Sequence, residues 1–242
     1  QLLCDKHGNV LCLGERECSV QRKNQKLIEE SPSPSLTPEI RKEMMEAAIK
    51  AAKAVNYNSV GTVEFLLDKD KNFYFMEMNT RLQVEHGVTE MVTGLDLVQW
   101  QIRVAAGTKL NKTQDQIFFH GHAIECRINA ENPDKNFRPS CGKITQLHIP
   151  GGSFVRFDTA IYQDYTIPPF YDSMVGKIIV QGRSRELAIR KMKMALSELS
   201  ISGIDHNREL QIEILSDREF IDGSYTTDFI ADFEERRKKQ KQ

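Results

Sequence analysis

The stretch Gly61-Thr-Val-Glu-Phe-Leu-Leu-Asp-Lys-Asp-Lys-Asn-Phe-Tyr-Phe-Met-Glu-Met-Asn79 decides the fold of the first half of this chain. Two β-branched and apolar runs, Gly61 to Leu67 and Asn72 to Asn79, flank the polar turn Asp68-Lys-Asp-Lys71, the pattern of a β-hairpin. Setting Glu64 opposite Glu77 leaves Lys69 to Asn72 as the loop, a length hairpins commonly use. Period-two alternation then puts Thr62, Glu64 and Leu66 on one face with Phe75, Glu77 and Asn79. Directly opposed side chains have Cβ atoms about 4.5–5.5 Å apart, where like charges repel. A divalent cation held by oxygen ligands supplies the compensation, because Mg²⁺ binds through one or two carboxylates with substrate phosphates in other positions. The hairpin is predicted as a metal–nucleotide site; the competing reading is a solvated sheet face with two unrelated glutamates.

The residues beyond the hairpin favour the first reading. In Glu77-Met-Asn-Thr-Arg-Leu-Gln-Val-Glu-His86 an amide, a guanidinium, a second amide and another carboxylate follow the strand end. Arg81 can hold a planar carboxylate or bicarbonate by paired hydrogen bonds, which a lysine cannot imitate. Glu85 is a candidate general base if burial or a neighbour tunes it.

This string, continued by Val88-Thr-Glu-Met-Val-Thr-Gly-Leu-Asp96, resembles the signature of the biotin carboxylases, members of the ATP-grasp superfamily. Gly14-Glu-Arg-Glu-Cys-Ser-Val-Gln-Arg-Lys-Asn-Gln-Lys26, Glu125-Cys-Arg-Ile-Asn-Ala-Glu131 and Tyr171-Asp-Ser-Met-Val-Gly-Lys177 carry the same resemblance, which runs to about Phe229. Gly87 stands where the family usually has proline, loosening the turn without removing a ligand. The resemblance implies the C-terminal half of an ATP-grasp domain at 1–117, a biotin carboxylase C-terminal domain at 118–230 and a basic tail at 231–242. It also implies a fragment: neither an N-terminal domain nor the glycine-rich lid over the triphosphate is found, so the chain is expected not to turn over alone.

Length and composition agree. The 242 residues suffice for one large domain or two. A formal net charge of −1 with 28% charged residues predicts no bulk attraction to nucleic acid or membrane, and no apolar run approaches the ~20 residues of a membrane span. Cys4, Cys12, Cys18, Cys126 and Cys141 lack CxxC spacing and, with no secretory segment, read as reduced thiols of a cytoplasmic protein.

Periodicity gives the coarse organisation. Strands are predicted over Leu2 to Cys12 and Gly14 to Glu30, then a loop at Ser31 to Ser35. A helix capped by Thr37 with Pro38 at its first position presents Ile40, Met44, Ala48, Ala51 and Val55 along one face. After the hairpin and a signature loop comes a helix over Leu95 to Ala106, then a polar connector, Lys109 to Gln116. Strands follow over His120 to Glu131, Lys143 to Ile149, Phe154 to Thr159 and Met174 to Gln181. A helix over Ser184 to Leu199 buries Ala188, Met192, Ala195 and Leu199, and the last spans Asn207 to Leu215. The class is α+β with mostly antiparallel sheet.

Residue roles follow from both sources. Alternation turns Ile124, Cys126 and Ile128 inward and Glu125, Arg127 and Asn129 to the other face, where Arg127 is either an ion-paired structural residue or a functional one. The resemblance implies that Arg127 stabilises the enolate-like oxygen of deprotonated biotin; a single preorganised donor at an oxyanion contributes about 3 kcal/mol. It likewise assigns Lys26, Arg81, Gln83 and the Val84 backbone to bicarbonate, Glu85 to its deprotonation, and Glu64, Glu77 and Asn79 to metal. Gln21 and Asn24 lie near the ribose, Asn24 replacing a histidine of many members; Leu66 and Met76 line the adenine slot, with contacts near Tyr225-Thr-Thr227 less secure. The implied cofactors are ATP and Mg²⁺ or Mn²⁺, with biotin as carried substrate. The implied partners are bicarbonate, a biotin carrier protein, carboxyltransferase subunits and a second copy joined through the strand around Arg156, most naturally in an acetyl-CoA carboxylase of fatty acid biosynthesis.

Three motifs are read as decoys. Lys191-Met-Lys-Met-Ala195 looks like a biotinylation motif, but helical spacing puts Met192 in the core and Lys193 on a solvated face. His86 and Glu90 lack a second histidine for zinc. Arg236-Arg-Lys-Lys-Gln-Lys241, offset by Glu234 and Glu235, reads as a frayed terminus. The alternatives are another ATP-grasp carboxylate ligase and a non-catalytic dimerisation module.

Overall fold

The computed structural model describes residues 1–240. The chain forms two compact units, one of residues 1–17 with 31–120, the other of 18–30 with 121 onward. The polar connector at 109–116 lies within the first unit. Composition registers breaks along the chain, whereas pairing of the 18–30 segment into a distant sheet assigns that segment to the second unit.

In the first unit, β1 (Leu2–Cys4) pairs antiparallel with β2 (Val10–Cys12). The single strand predicted over 2–12 is broken because the Asp5 carboxylate accepts from the backbone of His7 and Asn9 at 2.8 and 3.0 Å, an Asx-type turn. β3 (Glu17–Arg22) and β4 (Gln25–Ser31) divide the 14–30 run in the same way. Their turn residues Lys23 and Asn24 both have positive φ, 49° and 63°, the type I′ requirement that favours asparagine. α1 (Pro38–Ala54) has the expected Thr37 cap, 3.4 Å from the Ile40 N–H. Its buried stripe is Met45, Ala48, Ile49 and Ala52, rotated from the predicted one; Val55 lies beyond the helix end, 65% exposed.

β5 (Ser59–Leu67) pairs with β1 and with β6 (Phe73–Asn79), giving the sheet order β2-β1-β5-β6. Alternation along β1 serves two cores. Leu2 and Cys4 join Cys12, Val63 and the α1 alanines. Leu3 turns the other way, to Leu11, Val60 and the Leu97, Trp100 and Val104 side chains. The latter belong to α3 (Leu97–Ala105), capped by Asp96. Before it stands α2 (His86–Thr93), where a loop was predicted.

In the second unit, β7 (His122–Asn129) is central to an antiparallel five-stranded sheet ordered β12-β14-β7-β4-β3. Short pairs flank it: β8 (Glu131–Asn132) with β9 (Arg138–Pro139), β10 (Gly142–Lys143) with β13 (Thr166–Ile167), and β11 (Gln146–His148) with β15 (Ser200–Ser202). The strand predicted over 143–149 is thus two strands in separate sheets. β12 (Val155–Thr159) and β14 (Met174–Gly182) complete the large sheet. Ile124, Cys126 and Ile128 of β7 face the core with Ile178 and Val180. There they meet Ala188, Met192, Ala195 and Leu196 of α4 (Arg185–Glu198), whose Met192 is fully buried.

α5 (Arg208–Ile214) is the predicted last helix, but α6 (Arg218–Asp222) and α7 (Phe229–Gln240) follow it. The basic stretch is therefore helical rather than frayed as far as the structure describes it; Lys241 lies outside the described residues. Arg236 pairs with Asp217 and Glu219 at 3.0 and 2.8 Å, and Arg237 with Glu213 and Asp134 at 2.5 and 2.8 Å. No helix among the described residues is long and apolar enough to cross a membrane.

Candidate active site

Glu64 lies directly opposite Glu77, and Thr62 opposite Asn79. The Asn79 amide nitrogen donates to both carboxylates, at 3.0 Å to Glu64 and 2.9 Å to Glu77, so the acidic groups share one side of the hairpin. Gln83 donates to the same Glu64 oxygen at 2.6 Å. Two carboxylates and the amide oxygen of Asn79 would offer Mg²⁺ the hard oxygen donors it accepts. No group of three His, Cys, Asp or Glu with metal-ligand geometry occurs among the described residues, and His86 and Glu90 form only a 3.8 Å pair.

The hairpin differs from its prediction in one respect. Register shifts beyond Glu64, so Phe65 pairs with Phe75 and Met76 is the extra residue of a β-bulge. The loop consequently closes at Leu67 and Phe73, with Asp68 N–H bonded to Asn72 O at 2.9 Å. One inserted residue exchanges the faces of everything after it. Phe75 therefore stands with Phe65, ring centroids 6.5 Å apart, rather than beside Glu77. Leu66, opposite Tyr74, and Met76 are both exposed.

The signature continues into α2. Glu85 occupies its N-cap position and is 2% exposed, while the His86 ring nitrogen lies 2.8 Å from Gln83 O. Gly87 sits in the first turn at negative φ, so no special glycine conformation is used there. Val84 is half-buried. Arg81 is exposed, its Nη1 3.3 Å from Leu82 O; unlike Gln83, it shows no direct bond to the carboxylates. Sequence reasoning passed over Arg16, which donates to Gln83 Oε1 at 2.8 Å. Its one signal was its place within the Gly14–Lys26 motif, which also holds Arg22.

In the second unit Gln21 lies on β3, Asn24 in the adjoining turn, Lys26 on β4 and Arg127 on β7. Arg127 donates to Glu29 through Nε at 2.7 Å and Nη2 at 2.6 Å. It is thus ion-paired, and Glu29 is fully buried. Lys177, in register with Arg127, lies 3.5 Å from Glu125 and 3.8 Å from Asp158, which also pairs with Arg156 at 2.7 Å. The polar face predicted for Glu125, Arg127 and Asn129 exists, but Glu125 and Asn129 are buried within it. The neighbouring Glu30 accepts from His122, Arg185 and Tyr225 at 2.5, 2.7 and 2.5 Å. Burial pushes the Glu30 pKa up, but the hydrogen bonds and charge of His122 and Arg185 prevail and hold it below the ordinary carboxylate range. Tyr225 thereby points inward, stacked on Phe220. Burial, with Glu29 and Glu125 nearby, pushes the Cys126 thiol well up, leaving it an inert core residue.

The fold is that of the C-terminal half of an ATP-grasp domain followed by a second α+β domain. Residues 1–113 match the family model for the carbamoyl-phosphate synthase L chain, ATP binding domain, and residues 125–232 that for the biotin carboxylase C-terminal domain. The chain is 54% identical over 232 residues to a biotin carboxylase of Nostoc sp., covering 96% of this chain and 52% of that protein. It is 54% identical over 235 residues to biotin carboxylase 1 of Bacillus subtilis, covering 97% and 52%. The crystal structure of the Hydrogenobacter thermophilus 2-oxoglutarate carboxylase biotin carboxylase domain dimer, in complex with MgADP, ADP and bicarbonate, superposes with a TM-score of 0.94 at 50% identity, covering 96% of this chain and 51% of that one. The chain is thus similar to biotin carboxylases along nearly its whole length, and it spans about half the length of the curated relatives it matches.

Proposed function

We propose that this chain carries the metal-binding and biotin-activating part of an ATP-dependent biotin carboxylase, a ligase that transfers a carboxyl group from bicarbonate to biotin on a carrier protein. The observation that carries the reading is the in-register Glu64–Glu77 pair with both carboxylates bonded to Asn79. Mg²⁺ held there would align the β- and γ-phosphates of ATP and neutralise developing charge. Glu64, Glu77 and Asn79 supply its oxygens. Lys26, Arg81, Gln83 and the Val84 backbone hold bicarbonate, and Glu85 removes its proton so that it attacks the γ-phosphorus, whose bond to the β-phosphate oxygen breaks to release ADP and give carboxyphosphate. That species breaks down to CO₂ and phosphate, and the phosphate or another base takes the biotin N1 proton. Arg127 then stabilises the enolate-like oxygen as deprotonated biotin captures CO₂. Gln21, Asn24, Leu66 and Met76 contact the nucleoside.

The remaining assignments belong to the same proposal: 1–117 as the ATP-grasp portion, 118–230 as the carboxylase C-terminal domain, a cytoplasmic location, and a homodimer meeting near Arg156. Acetyl-CoA carboxylase is the proposed assembly, with a separate transferase delivering the carboxyl group. Calorimetric titration of Mg-ATP into this chain and into Glu64→Ala/Glu77→Ala tests the metal site. Binding in the parent and its loss in the double variant are expected; identical heats would remove the support. Biotin-dependent ATP cleavage by the full-length enzyme separates this function from that of another ATP-grasp ligase.

A further inference from the structure

The Gln83 side chain carries two opposite edges, and the structure gives each a different neighbour. Its nitrogen donates to Glu64 Oε1 at 2.6 Å, and its oxygen accepts from Arg16 Nη2 at 2.8 Å. The same guanidinium donates to Thr62 Oγ1 at 3.1 Å on β5 and, through Nη1, to Thr89 Oγ1 at 3.0 Å on α2 and Gln1 Oε1 at 2.7 Å. Gln1 is fixed in turn, its nitrogen donating to Gly61 O at 2.9 Å and Leu2 O at 3.1 Å. Gln1, Thr62, Gln83 and Thr89 are all buried.

A guanidinium has donors only, in a rigid planar fork, and a carboxylate has acceptors only. Turning the Gln83 amide over would set N–H against N–H at Arg16 and oxygen against oxygen at Glu64. Without Arg16 only the Glu64 edge would choose between the two orientations.

We propose that Arg16 is a positioning residue for the metal and anion site: it fixes Gln83 with its N–H edge toward Glu64, and so orients a metal-ligating carboxylate and the bicarbonate donor together. This rests on the carboxylase reading for what the site binds, but not for the orientation itself. Arg16 touches no reacting atom. It acts on the ligand Glu64 as outer-shell partners do, whose loss typically lowers metal affinity roughly 10- to 100-fold.

The test uses the full chain labelled with ¹⁵N-glutamine or, in a second sample, ¹⁵N-arginine, the Gln83 amide being assigned by its loss in Gln83→Met. In the parent, slow exchange of the Gln83 amide protons and Mn²⁺ binding, followed by the free-ion electron paramagnetic resonance signal, are expected. Arg16→Met should release the amide protons and weaken Mn²⁺ roughly 10-fold or more; Arg16→Lys, which restores a donor-only cation, should recover part of both. Unchanged protection in a folded Arg16→Met chain overturns the proposal. Should that variant not fold, the parent still decides: Arg16 Nη resonances must show hindered rotation that is relaxed in Gln83→Met, and free rotation in the parent overturns it equally. Failure of the carboxylase reading looks different, as absent Mn²⁺ binding in the parent with Gln83 protection intact.

Discussion

Two acidic pairs of this chain sit in opposite circumstances. Glu29 and Glu30, consecutive on β4, are fully buried and point to opposite faces, each meeting a guanidinium of its own unit: Arg127 for one, Arg185 for the other, with His122 beside it. Glu64 and Glu77 face each other across a hairpin and share the neutral amide of Asn79, with Gln83 beside it. Burial forces the first pair to be compensated from within, because an uncompensated buried charge costs several kcal/mol. The second pair is more open, and the amides of Asn79 and Gln83 hold it where the proposed metal ion would sit. Carboxylates of the first kind build the fold; those of the second kind are the proposed metal ligands.

The sharpest way to break this contrast is to remove the cations. Arg185→Met is expected to lower the stability of the second unit by about 3–5 kcal/mol, since it leaves Glu30 buried with fewer partners; urea unfolding followed by circular dichroism measures it. The pH dependence sharpens the point. With its folded pKa depressed below the ordinary value of 4.5, Glu30 contributes stability that is fully present above that value and is lost as pH falls through the folded one. Glu30→Gln should therefore flatten the acid limb of unfolding, and an unaltered limb would show that other carboxylates control it.

Arg127 combines the two circumstances and should show two effects. Arg127→Gln is expected to reduce biotin carboxylation by the full-length enzyme about 100-fold or more and also to lower stability, because Glu29 loses its guanidinium. Lost activity without lost stability would assign Arg127 wholly to chemistry. The smallest expected change comes from the hairpin. Glu77→Gln removes like-charge repulsion, so the melting temperature without metal should stay within about 2 °C or rise, while stabilisation by added Mg²⁺ disappears. A large metal-free destabilisation would place Glu77 among the structural carboxylates.

The sequence alone determined the hairpin, the Glu64–Glu77 register and the α+β class, because alternation and turn chemistry act over a few residues and leave a local imprint. The Thr37 cap and the buried Met192 stripe were legible for the same reason. Only the tertiary structure decided the Met76 bulge, the helical course of α2 and the α1 face, each set by which neighbours take up the surface. It alone also joined Arg16 to Gln83 and Arg127 to Glu29, partners 67 and 98 positions apart. A hydrogen bond depends on distance in space, and nothing in the local pattern of either partner encodes so remote a meeting.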